Sequence, residues 1–156
     1  KGILFSGIGW YTRLEFPYLN NIMEQGEYVH IEQAILKIYP EVGTYSDYNV
    51  LPDSIFLYIA DENNVVTDAV KDYLGDEEQS GKLIKDDLFF GNTYYYFDVS
   101  QFMQKELGAS GKNKHNLQLV FNSDDYTKTL KNMTFSDSNG QFPITLQLNY
   151  KIYESY

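Results

Sequence analysis

Cysteine is absent from the 156 residues, which removes thiol nucleophiles, thiolate metal sites and disulfides together and leaves packing and backbone hydrogen bonding to hold the fold. Basic residues are scarce: 12 Lys and Arg stand against 22 Asp and Glu, for a formal net charge of −10. A phosphate backbone would be repelled, so a nucleic-acid role has no electrostatic footing. Histidine occurs only at His30, inside an alternating apolar run, and at His115, after the basic, polar stretch Gly111–Lys114; neither has metal-ligand spacing. No G-x-S-x-G elbow anchors a serine hydrolase, and Gly7-Ile8-Gly9 lacks both the continuation and the lysine of a phosphate-cradling loop. No stretch approaches the ~20 apolar residues of a membrane-spanning helix, and no basic amphipathic segment reads as a membrane-surface helix. The opening Lys1-Gly2-Ile3 has neither an initiator methionine nor the three regions of a signal peptide, so the chain is expected to be a piece of a longer protein.

What is abundant is aromatic. Fifteen tyrosines, ten phenylalanines and one tryptophan favour strands, because flat side chains suit a pleated, half-buried surface. Period-two alternation predicts a strand over Trp10–Phe16, with Trp10, Thr12, Leu14 and Phe16 on one face and Trp10 in the core. After Pro17, Leu19–Gly26 reads as one or two helical turns stopped by glycine. The apolar positions Val29, Ile31, Ala34, Leu36 and Ile38 are spaced two, three, two and two, which predicts a central strand with a bulge near Glu32-Gln33. Ser54–Ala60, bounded by Pro52 and by Asp61-Glu62-Asn63-Asn64, reads as a buried strand placed near the preceding one.

Residues 61–87 are the most acidic, with Asp61, Glu62, Asp68, Asp72, Asp76, Glu77, Glu78, Asp86 and Asp87 against three lysines. A solvated insertion is the expected form. Calcium binding is the alternative, although the D-x-D-x-D-G arrangement is missing. Further on, Tyr94–Phe97 precedes a stretch that reads as a helix. Asp98 serves as its cap, Gln101 stands three residues later, Val99, Phe102, Met103 and Leu107 form the buried stripe, and Gly108 is the stop. Leu117, Leu119 and Phe121 alternate with Asn116, Gln118 and Val120. A strand over Thr129–Phe135 precedes the turn cluster Ser136–Gly140, and the last strand places Ile144, Leu146, Leu148, Tyr150 and Ile152 on one face. Six or more strands with one or two short helices predict an all-β, two-sheet β-sandwich of jelly-roll type, as a single domain over 1–156.

The order Thr12-Arg13-Leu14-Glu15-Phe16-Pro17, Ile31-x-x-Ala34-x-Leu36-x-Ile38, Phe97-Asp98-Val99-Ser100-Gln101-Phe102, Asn116-Leu117-Gln118-Leu119 and Pro143-x-x-Leu146-x-Leu148-x-Tyr150 resembles the C-terminal part of the Bacteroidetes lipoproteins of domain-of-unknown-function family 4270. It resembles the DNRLRE-type jelly-roll domains more distantly. The resemblance implies an exported parent tethered by an upstream lipid at the outer membrane or cell surface. It also implies that Asp53-Ser54-Ile55 is a candidate O-glycosylation acceptor, while the sequon Asn132-Met133-Thr134 would be idle in a bacterium.

Two functions follow. The first is a noncatalytic surface domain that contacts an envelope protein or supports an envelope assembly. The alternative is a carbohydrate-binding module, with Trp10, Tyr11, Tyr94, Tyr95 and Tyr96 as candidate stacking platforms for a surface glycan; the tyrosine run must bury alternate members. No cofactor is implied and no catalysis is expected. Glu15, Glu32 and Asp98 are the only acids embedded in well-marked elements, and Asp98 is already used as a cap.

Overall fold

Strand residues whose side chains alternate between oil and water need a second layer to cover the apolar face, and here one long curled sheet supplies both layers. The computed structural model describes residues 1–25, 28–71, 75, 77–86, 88, 92–108, 114–122, 130–136 and 141–153. Its strands are β1 (Gly2–Phe5), β2 (Thr12–Leu14), β3 (Tyr28–Ile38), β4 (Ser54–Ala60), β5 (Val66–Ala69), β6 (Ser80–Ile84), β7 (Tyr94–Asp98), β8 (Asn116–Phe121), β9 (Asn132–Phe135) and β10 (Thr145–Tyr153). A 3₁₀ helix spans Leu19–Gln25 and helix α1 spans Ser100–Gly108. The strand order is β10-β3-β7-β6-β4-β8-β2, with β5 beside β4, and every strand pair is antiparallel. Strands β2, β4 and β8 make one layer and β3, β7 and β10 the other, so the chain changes layer at each step from β2 to β3, β3 to β4, and β7 through β8 to β10. This is the expected sandwich with jelly-roll-like crossing.

Strand β6 belongs to both layers. Ser80, Gly81 and Lys82 pair with Phe56, Ile55 and Ser54 of β4, whereas Leu83 and Ile84 pair with Tyr95 and Tyr94 of β7. The switch needs a residue without a side chain, because a Cβ at Gly81 would lie 2.2 Å from Cζ of the buried Phe97 ring. The acidic segment is therefore not simply a solvated insertion. Its β5 stretch is largely exposed, but β6 joins the two layers and Val70 lies in the core. Strand β4 also has other neighbours than expected: it pairs with β5, β6 and β8, while β3 lies in the opposite layer.

The core between the layers is built from Ala34, Leu36 and Ile38 of β3, Ile55 and Leu57 of β4, Tyr95 and Phe97 of β7, and Leu117, Leu119 and Phe121 of β8. Strand β8 is covered on both faces, since Asn116 and Gln118 are buried as well and donate their amides to the Asp61 and Asn64 carbonyls. Strands β1 and β9 pair with each other and add Leu4, Met133 and Phe135 to the same core.

The expected bulge is present. Asn149 of β10 faces Gln33 and Tyr150 faces Ile31, so Glu32 is the extra residue. Glu32 reaches back to the Lys151 ammonium of β10, and that hydrogen bond, reinforced by the carboxylate charge, raises the Lys151 pKa above its ordinary value. Beyond the end of β7, the side of β3 that faces away from β10 is covered by α1. Ser100 Oγ accepts from Ala34 N at 2.8 Å, Gln104 Oε1 accepts from Ile31 N at 2.7 Å, and Val99 N donates to Ala34 O. Val99, Phe102, Met103 and Leu107 are all buried, as their spacing requires. Asp98 Oδ1 caps through Ser100 N at 2.9 Å, but the reciprocal half of the expected box is filled from elsewhere: Gln79 Oε1, not Gln101, accepts from Asp98 N at 2.6 Å.

The strand expected over Trp10–Phe16 shortens to Thr12–Leu14, and Trp10 is 56 % exposed instead of lying in the core. The reason is local: Ser6–Gly9 form a turn with Gly7 and Gly9 at positive φ, and Trp10 folds back to bridge Phe5 ahead of β2. Gly26, Thr129 and residues 137–140 lie outside the described residues.

Replacing Gly81 by alanine drives a methyl into the Phe97 ring and is expected to cost about 2–3 kcal/mol in urea denaturation. A Phe97→Leu background should recover part of that loss, because the ring is what the methyl strikes.

Candidate functional site

The tyrosine run on β7 divides by pleat. Tyr95 points between the layers, is fully buried, and donates its hydroxyl to Pro52 O at 2.5 Å. It is thereby removed as a ligand-contacting residue. Tyr94 and Tyr96 take the outer face, and Tyr96 is 46 % exposed opposite Lys37. Tyr94 is engaged by protein: Lys37 Nζ lies 5.0 Å above its ring, and Tyr39 stands 5.6 Å away with the planes inclined by 50°. Phe142 follows at 6.2 Å from Tyr39, inclined by 30°. The rings are tilted toward one another and do not form a flat platform. Tyr11 is exposed just before β2, next to the exposed Trp10, and remote in sequence from this cluster.

The acids singled out by sequence are scattered as well. Glu15 pairs with Arg13 at 2.6 Å, Glu32 with Lys151, and Asp98 caps α1. Asp61 closes the turn after β4 by accepting from Asn63 N and Val65 N, both at 2.9 Å. Among the described residues no group of three or more His, Asp or Glu side chains is placed to hold a metal ion; Asp72, Asp76 and Asp87 lie outside them. Ser54 is half-buried as the first residue of β4, and Asn132 accepts from Asn49 Nδ2 within β9.

The most distinctive surface is the open side of the sandwich. The layers are joined through β6, so β10 and β2 form the opposite ends of the sheet. Strand β10 has nine residues and pairs with β3 alone among the described strands. Its inward residues Leu146, Leu148 and Tyr150 pack on the core yet are only half-buried. Beside them runs a groove of about 310 Å³, walled by Phe16, Pro17, Tyr18, Leu19, Ile22, Leu146 and Leu148, with Glu15 at its border. Alternation in the sequence located the apolar face of β10 but carried no sign that no further described strand lies beside it.

A second cleft was not legible at all. Glu106 lies on α1 with its side chain 5 % exposed, and its carboxylate accepts from His115 Nδ1 at 2.6 Å and from Lys114 N and His115 N at 3.0 and 3.3 Å. His115 and Lys114 then line a cleft of about 340 Å³ at the end of β2 and the start of β8.

Tyr95→Phe leaves the Pro52 carbonyl without its donor and is expected to lose about 1–2 kcal/mol of stability, whereas Tyr96→Phe should stay within about 0.5 kcal/mol of the parent; chemical denaturation of the two variants checks the assignment of buried and exposed faces. Comparison of the chain with family models, with curated proteins and with solved structures returned no match.

Proposed function

We propose that the chain is a noncatalytic interaction domain that takes an extended segment of a partner protein along β10. The observation that carries this reading is the contrast between two strand edges. An exposed edge is a row of unpaired backbone donors and acceptors, and proteins cover such edges with a helix, a charge or a proline. This chain covers part of β3 with α1, through Ser100 and Gln104, and leaves nine-residue β10 without a neighbouring strand among the described residues. In β10, Lys151 is the single charged residue, and Glu32 engages it.

An added strand would gain ladder hydrogen bonds from β10, and alternate side chains would enter the groove over Leu148, Ile22 and Phe16. The net charge of −10 favours a segment that is neutral or basic. The resemblance to exported lipoproteins supports a place outside the cytoplasm, with an envelope protein as the partner class. The glycan reading keeps two supporting observations, the exposed Tyr96 on the outer face and the exposed neighbours Trp10 and Tyr11 ahead of β2.

Selection of random dodecamer peptides on the domain separates the two readings. Bound peptides should alternate apolar residues, perturb the amides of β10, and lose at least about tenfold in affinity in a Leu148→Lys variant that still unfolds cooperatively. Tyr96→Ala should leave that binding unchanged. Selected peptides indifferent to Leu148→Lys would contradict the strand-addition reading. Glycan-array binding abolished by Tyr96→Ala would support the carbohydrate alternative.

A further inference from the structure

A buried carboxylate is costly unless several donors reach it, and α1 packs through an otherwise apolar stripe that has no need of an acid. Glu106 is nevertheless buried there, and its three donors all come from the two residues that lead into β8. The consequence is geometric. The His115 ring is held through Nδ1–H, which assigns the tautomer of the neutral ring and leaves Nε2 as the nitrogen for a ligand. The Lys114 side chain is exposed beside it.

Both residues line the cleft of about 340 Å³, within the size range of small-molecule sites, whose further walls include Phe16, Pro17 and Glu62. Arg13, also in the lining, is already committed: Nη2 pairs with Glu15 Oε1 at 2.6 Å and Nη1 donates to Asn64 Oδ1 at 2.9 Å. The Lys114 ammonium and the Glu62 carboxylate have no ion pair among the described residues. A second, independent observation comes from Asn116, a lining residue only 2 % exposed. Its Nδ2 donates to Asp61 O at 2.9 Å, which fixes the amide orientation, and its Oδ1 is buried without a donor.

We propose that this cleft binds a small carboxylate that carries a hydroxyl or ammonium group on the adjacent carbon. The carboxylate lies on Lys114 Nζ, and the neighbouring donor serves the acceptors His115 Nε2, Asn116 Oδ1 and Glu62 against the apolar wall of Phe16 and Pro17. Glu106 acts as the positioning residue for the histidine. The inference goes beyond the interaction reading, and neither Lys114 nor His115 borders the groove beside β10.

The test is a titration of the full chain with L-lactate, L-serine, acetate and L-lactamide, followed by NMR at the backbone amides of residues 114–116 and at the His115 ring. L-lactate or L-serine should give saturable shifts there, the tighter of the two identifying the hydroxy or the amino acid as the source. Acetate should bind at least about tenfold more weakly, and L-lactamide should leave the resonances unmoved. Lys114→Ala and Lys114→Gln should each weaken binding about tenfold at an unchanged unfolding midpoint. The proposal is overturned by an absence of saturable shifts for L-lactate and L-serine up to about 50 mM, by equal affinity for acetate and L-lactate, or by affinity that survives both lysine substitutions.

Discussion

The contact between Gly81 and the outer end of the Phe97 ring is the constraint on which the architecture turns. Strand β6 serves two layers by bending past the core-facing ring of its neighbour, and that passage is open to hydrogen and closed to a methyl group. With β6 shared, the sheet is continuous on one side of the sandwich and must end on the other. The lack of a second strand beside β10 among the described residues, the half-buried state of Leu146 and Leu148, and the groove beside the 3₁₀ helix are consequences of where the sheet ends. The proposed docking surface is therefore a product of topology together with segment 16–22, which supplies most of the groove wall.

Much of this was legible in the residues. The limits of β4 at Ser54 and Ala60, the extra residue at Glu32, the stripe of α1 and the short helix from Leu19 follow from local spacing, because each is decided by period, bulge or cap within a few positions. The failures share a different physics. Trp10 has the parity of a core residue, but a glycine turn four residues long redirects the chain before β2 begins. The acidic segment conceals β6, whose Ser-Gly-Lys-Leu-Ile run is too short and too polar to register as a strand and is specified by the ring of Phe97 in another element. Asn116 and Gln118 look solvent-facing by alternation yet are buried, since the turn after β4 folds over them and accepts their amides.

The candidate sites were less legible than the fold for the same reason. Tyrosines 94 to 96 were correctly expected to alternate, but which of them faced out depended on the register of β7 against β3. That β10 has no second neighbour among the described strands is a property of the whole strand order and leaves no trace in Thr145–Tyr153. Glu106 is one acid among many in an acidic chain, and only its position over the entry to β8 makes it a clamp for His115. The two clefts share the Glu15-Phe16-Pro17 wall, so the proposed ligand pocket and the proposed strand-docking groove border one short segment.

Residue-resolved amide hydrogen exchange tests the central claim most directly, that the sheet is closed through β6 and open at β10. Protection should be continuous along β4 and through both halves of β6, and should alternate along β10, where the amides directed at β3 are slow and those between them exchange as fast as loop amides. Uniform protection along β10, or loss of protection at the Gly81–Leu83 switch, would contradict it.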